Sequence, residues 1–216
     1  NTTVSIIKSC IPSIKDPWQI PIIDIYTILS VIRMASYGGN INAKNTCTEC
    51  SEENSYEVDI QNILAHFAKG NFQESLVVDN MKFHLRPLTF KELNEINKQN
   101  FKHQRSLMQA VPNIEDENIR GEETQKVYSA LSELRKNTVI SSIVKIEVDN
   151  EEETDLIEIA KFIENADKDF FIKVEQAVMS NNEQYIVPET DITCANCGYE
   201  SKLNIELDYS NFFAQG

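Results

Sequence analysis

The period of the apolar positions changes several times along the chain. Between Ile22 and Ala35 they fall on nearly every face of a helical wheel, which predicts a helix buried on several sides. Asp16-Pro17-Trp18-Gln19-Ile20-Pro21 punctuates its entry and Gly38-Gly39 its end. Asn40 to Thr46 and Ser55 to Ile60 then read as two short strands, Gln61 to Ala68 as a short helix. Glu74 to Asp79 and Met81 to Arg86 alternate about Asp79-Asn80 as a hairpin does. Thr89 followed by Glu92 forms a capping box, opening a helix to about Ala110 with Leu93, Ile96, Phe101, Leu107 and Met108 as its apolar side. Helical spacing continues over Glu122 to Val144, Thr154 to Ala166 and Lys168 to Met179. Strand-like alternation returns over Tyr185 to Thr193 and Ser201 to Asp208. The ends are β and the middle is mostly α, an α+β fold.

Charge narrows the class of partner. The 216 residues include 34 acidic and 20 basic side chains, a formal net charge of -14. Nucleic acid is bound by Lys and Arg that displace counterions, so an acidic chain without a basic stripe is expected to bind protein instead. The acidic run Glu147 to Asp155 lacks the Gly and the ligand spacing of a calcium loop and reads as a solvated linker. The longest apolar stretch, Ile20 to Met34, is broken by Pro21, Asp24 and Arg33 and is too short and too charged to span a bilayer. Asn1 to Ser9 lacks the features of a secretory signal, and the expectation is a soluble intracellular protein without membrane partners.

Four of the five cysteines form two C-x-x-C pairs, Cys47/Cys50 and Cys194/Cys197, each between short extended segments. A C-x-x-C turn offers two soft donors from one knuckle, and two knuckles complete the tetrahedron of a structural zinc site. One structural Zn²⁺ held by Cys47, Cys50, Cys194 and Cys197 is therefore predicted, ahead of disulfides or redox dithiols. The 143 residues between Cys50 and Cys194 are no obstacle. Closing such a loop costs on the order of 4 to 5 kcal/mol, whereas structural zinc yields about 10 to 16 kcal/mol. The expected architecture is a split zinc ribbon with a mostly helical domain inserted between its halves. Residues 1–60 would carry the first helix and knuckle hairpin, 61–184 the inserted hairpin and helices, and 185–216 the second knuckle and tail. Cys10 reads as a small buried hydrophobe. His66 and His103 read as helix-surface residues and His84 as a strand residue, without metal-ligand spacing. P-loop, G-x-G-x-x-G, H-E-x-x-H and nucleophile-elbow motifs are absent from the sequence, and no catalytic residue is predicted.

The segment Asp16-Pro17-Trp18-Gln19-Ile20-Pro21 through Ile32-Arg33-Met34-Ala35-Ser36-Tyr37-Gly38, followed by Cys47-Thr48-Glu49-Cys50, resembles the baseplate hub proteins of T4-type contractile-tailed bacteriophages. So does the ending, Cys194-Ala195-Asn196-Cys197-Gly198 with Asp208-Tyr209-Ser210-Asn211-Phe212-Phe213. Between these ends, Leu88-Thr89-Phe90-Lys91 is the similar stretch. The resemblance implies a non-enzymatic structural or assembly role in the virion's tail baseplate, with host cytoplasm as the site of assembly and other hub and tail proteins as partners. The alternatives are an assembly chaperone absent from the mature virion, or a redox or zinc enzyme. The Ile22–Ala35 helix and Tyr209, Phe212 and Phe213 supply apolar surface for docking. Ser51 stands where the second knuckle has Gly198, which predicts a less regular first turn.

Overall fold

A computed structural model describes residues 2–149 and 151–205, and the predicted docking residues Tyr209, Phe212 and Phe213 lie outside them. The chain divides into two compact units. One contains the sequence up to Asn71 together with the sequence from Asn182 onward, and the other is Phe72–Asn181.

The first unit opens with α1 (Thr2–Cys10), which the sequence reading did not predict, and α2 (Ile22–Tyr37). Asp16 accepts from the Trp18 backbone N–H at 3.2 Å and so sets the short 3-10 turn Pro17–Gln19. Gly38, at φ +89°, ends α2 by donating its N–H to the Met34 carbonyl. Helix α2 buries Ile25, Leu29, Ser30, Ile32 and Arg33, one broad face, while Val31 and Tyr37 stay exposed. The even spread of apolar residues therefore overstated how many sides are covered. Strands β1 (Asn40–Thr46) and β2 (Glu53–Asp59) form an antiparallel hairpin, in register from Asn40 opposite Asp59 to Thr46 opposite Glu53. Asp59 caps α3 (Ile60–Phe67) through the Gln61 N–H at 2.8 Å, and Ile60, Ile63 and Phe67 form its buried stripe.

The second unit is built on an antiparallel four-stranded sheet in the order β3 (Ser75–Val78), β4 (Met81–Leu85), β5 (Ile143–Val148), β6 (Glu151–Glu153). Helices α4 (Phe90–Arg105), α5 (Glu117–Ser142), α6 (Leu156–Asn165) and α7 (Lys168–Glu183) complete it. Phe83, Leu85 and Ile146 from the sheet join Ile159, Ile163, Phe170 and Val174 from the helices in one core.

Strands β5 and β6 correct the reading of residues 147–155 as a linker. Ile143, three residues after Ile140, satisfies helical spacing and so falls within the predicted helix to Val144, but it begins β5 and is buried with Ile146 in the sheet core. The acidic residues that follow belong to the ladder, with Glu147 opposite Glu152. Like charges facing each other are unfavourable, and Lys145 resolves the conflict by lying 2.7 Å from both carboxylates.

The capping box forms as predicted. Thr89 Oγ1 accepts from the Glu92 N–H, and Glu92 Oε2 accepts from the Thr89 N–H at 2.8 Å. Arg86 adds a bidentate pair to the same carboxylate, at 2.7 and 3.0 Å. The rest of α4 departs from expectation: it has no fully buried residue, Phe101 and Met108 are 67% and 79% exposed, and residues Ser106–Ala110 widen into a π-turn. Tyr185 to Glu189 is likewise not strand. Tyr185 lies over Gly70, where a Cβ would meet its ring at 2.8 Å, and Gln184 accepts from the Asn71 N–H at 2.9 Å, so the extended segment β7 (Thr190–Thr193) starts later.

The Arg86 guanidinium holds the Glu92 carboxyl at about 2, against an ordinary 4.5, aided by the Thr89 donors. A carboxyl with a depressed folded-state pKa contributes stability that is present above its unfolded value and lost as pH falls through the folded one. Hydrogen exchange of the first-turn amides of α4 should therefore be faster in Glu92→Gln than in wild type at pH 5 to 7, and the difference should shrink between 4.5 and 2.

Candidate metal centre

Each C-x-x-C pair sits where a hairpin turns. The β1–β2 ladder closes at Thr46 opposite Glu53, and β7 with β8 (Glu200–Leu203) closes at Thr193 opposite Glu200. Beyond these closing pairs the two turns repeat one another bond for bond. Cys47 N donates to Glu52 O and Ser51 N to Cys47 O, both at 2.9 Å. Cys194 N donates to Tyr199 O and Gly198 N to Cys194 O, again at 2.9 Å. Ser51 adopts φ +59° and Gly198 φ +73°, so the serine takes the same left-handed conformation as the glycine. The first turn is as regular as the second, contrary to expectation, because the hydrogen bonds of the knuckle impose a backbone shape that serine adopts under strain.

The turns bring all four sulfurs within 4.8 Å of one another. Cys47 Sγ lies 3.7 Å from Cys197 Sγ, and Cys50 Sγ lies 3.7 Å from Cys194 Sγ. These are free thiols, since a disulfide needs about 2.05 Å. Cys47 and Cys194 are buried, Cys50 is half-buried and Cys197 is exposed. The backbone N–H of Cys197, with smaller help from Asn196, Asn54 and Cys50, pulls the Cys194 thiol down to about 6 against its burial. At Cys197 the Tyr199 N–H also favours the thiolate, but partial desolvation of the sulfur and hydrogen bonding with Cys50, Cys47 and Cys194 outweigh it and push that thiol up to about 12. Four thiolates this close oppose one another unless a cation sits among them. The cluster is a donor set that can hold a metal ion.

Residues 1–214 match the family described as T4 bacteriophage base plate protein. The chain belongs to that family. None of the curated proteins and none of the solved structures compared with it matches.

In this base plate chain, two residues at the centre escaped the sequence reading. Asn54 and Tyr56 lie on the inward face of β2, in step with the buried Val58. Asn54 Nδ2 donates to Cys194 Sγ at 3.4 Å and to Glu52 O at 3.1 Å, and its Oδ1 accepts from the Ala195 N–H at 3.0 Å. Tyr56 Oη donates to Thr193 O at 3.1 Å, and burial first, then the charge of Cys194, Cys47 and Cys197, pushes its phenol up. A polar Asn at an inward strand position was the available signal.

Cys10 is exposed at the end of α1 rather than buried, because Val4 and Ile7 occupy the inner side of that helix. His66 lies on α3 against Phe67, His84 on β4 with Nε2 2.8 Å from Glu147 Oε1, and His103 on α4. Among the described residues no His, Asp or Glu joins the four sulfurs as a potential ligand.

The left-handed turn positions make a paired prediction. Ser51→Gly should stabilise the protein by up to about 1 kcal/mol, as relief of left-handed strain exceeds glycine's entropic cost. Gly198→Ala should cost about 1 kcal/mol through the backbone alone, because an added Cβ there meets no atom within 4 Å. Denaturant unfolding of the two variants beside wild type measures both.

Proposed function

We propose that this chain is a non-enzymatic structural or assembly protein of the baseplate hub in a contractile phage tail, its fold held by one structural zinc ion. The observation that carries the metal reading is the sulfur cluster. A tetrahedral shell with zinc–sulfur bonds of about 2.3 Å has sulfur–sulfur edges of about 3.8 Å, and the two cross-knuckle separations of 3.7 Å fit that shape. Cys47, Cys50, Cys194 and Cys197 would hold the ion, making β1–β2 and β7–β8 the halves of one split ribbon. Four thiolates fill the coordination sphere and leave no open position for substrate or water, which favours a structural over a catalytic site. Family membership supports the baseplate context, and the hub is the finer assignment.

The role in the tail is that of a subunit whose partners are other baseplate proteins, resident in the virion after assembly in the host cytoplasm. Helix α2 spends Ile25, Leu29 and Ile32 inside its own unit, so its contribution to docking would come from the exposed Val31 and Tyr37.

Single Cys→Ser substitutions at 47, 50, 194 or 197 should each destabilise the protein by more than about 4 kcal/mol and abolish its incorporation into baseplates. Cys10→Ser, at an exposed thiol outside the cluster, should leave both unchanged. Mass spectrometry of purified particles checks residence in the virion. A particle lacking the chain would reassign it to an assembly factor, and cluster variants that fold and incorporate normally would contradict the zinc reading.

A further inference from the structure

Strand β2 alternates exposed and inward residues, and its inward positions are Asn54, Tyr56 and Val58. Apolar side chains are the ordinary occupants of such positions, and burying an amide costs free energy unless both of its ends are satisfied. Asn54 is 8% exposed and satisfies both ends. Its Nδ2 reaches the Glu52 carbonyl of its own knuckle and Cys194 Sγ of the other, while its Oδ1 takes the Ala195 N–H. The reverse amide orientation would set Nδ2 against that N–H, so the network itself assigns the flip.

The two knuckles repeat one another bond for bond, yet the amide that ties them comes from one hairpin alone. The position four residues after Cys50 is Asn54, and the matching position four after Cys197 is Ser201. Besides the sulfur–sulfur contacts, Asn54 and Tyr56 of β2 supply the side chains that tie the hairpins: Asn54 Nδ2 donates to Cys194 Sγ, Asn54 Oδ1 accepts from the Ala195 N–H, and Tyr56 Oη donates to Thr193 O. Turn geometry alone therefore does not explain Asn54, because the second turn is built without its like.

We infer that Asn54 is the positioning residue of the metal centre: it orients the second knuckle against the first and donates a hydrogen bond to the Cys194 thiolate that ligates the ion. This rests on the zinc reading above. A thiolate that accepts an N–H bond carries its charge at lower cost, and outer-shell partners of metal ligands commonly control affinity by about 10- to 100-fold. An isosteric carboxylate separates the donor from the acceptor. Asn54→Asp keeps the oxygen that receives the Ala195 N–H but sets a second anion against the sulfur.

The test is zinc competition with a chromophoric chelator on the full chain, wild type beside Asn54→Asp and Asn54→Ala, together with absorption spectra of the cobalt-loaded proteins. The expected result is zinc affinity lower by about 10- to 100-fold in both variants, with the sulfur-to-cobalt charge-transfer band displaced from its wild-type position. A purely structural residue would lower stability and leave that band in place. Should the variants fail to fold, wild-type protein loaded with NMR-active cadmium decides: an Asn54 side-chain N–H resonance coupled to cadmium is expected, and its absence overturns the assignment. Zinc-binding wild type with affinity within twofold of wild type for Asn54→Asp and an unmoved band also overturns it, while the metal reading survives. Folded wild type that binds no zinc overturns both.

Discussion

Four sulfurs from two turns, separated by 143 residues of sequence, occupy a space less than 5 Å across. Much of the first unit is arranged to make that convergence possible. Both hairpins end in the same knuckle, both knuckles take a left-handed residue after their second cysteine, and the inward face of β2 gives up an apolar position to an amide that bonds the opposite turn. The chain leaves this unit at Asn71 and returns at Asn182, so the sheet and helices between them form an excursion whose two ends are held by the same unit.

The sulfur cluster is unfavourable in itself. Its thiols compete for ionisation, with Cys194 drawn to about 6 and Cys197 driven to about 12. On the zinc reading proposed above, a cation among the thiolates would remove that conflict at the junction of two remote segments. In this member of the T4 base plate family, the same reading would couple the fold of the first unit to a single local event.

Much of this was legible from residue spacing, and the failures have physical causes. Paired C-x-x-C turns identified the four cysteines that cluster, since two such turns together complete a four-sulfur donor set whereas one alone is shared with redox dithiols. Thr89 and Glu92 marked a helix start because a capping box is a local, self-contained arrangement. Strands β5 and β6 were hidden because Ile143 continues the helical period of Val139 and Ile140, and because a run of glutamates shows no alternation when its ladder is stabilised by a lysine from the neighbouring strand. Asn54 was invisible because its role depends on Ala195 and Cys194, more than 130 residues away in the chain. Ser51 misled because propensity argues against a left-handed serine, while the knuckle's hydrogen bonds decide the outcome. Cys10 misled because its apolar neighbours suggested burial, yet a helix buries one side only.

The central claim is that one metal ion ties the two hairpins together. Zinc content and thiol reactivity measured on the same native sample test it most directly, because the fifth cysteine serves as an internal control. The account predicts one zinc per chain and one reactive thiol, Cys10, with the other four becoming reactive only as zinc is withdrawn. Folded protein that contains no zinc, or that exposes all five thiols at once, would contradict it.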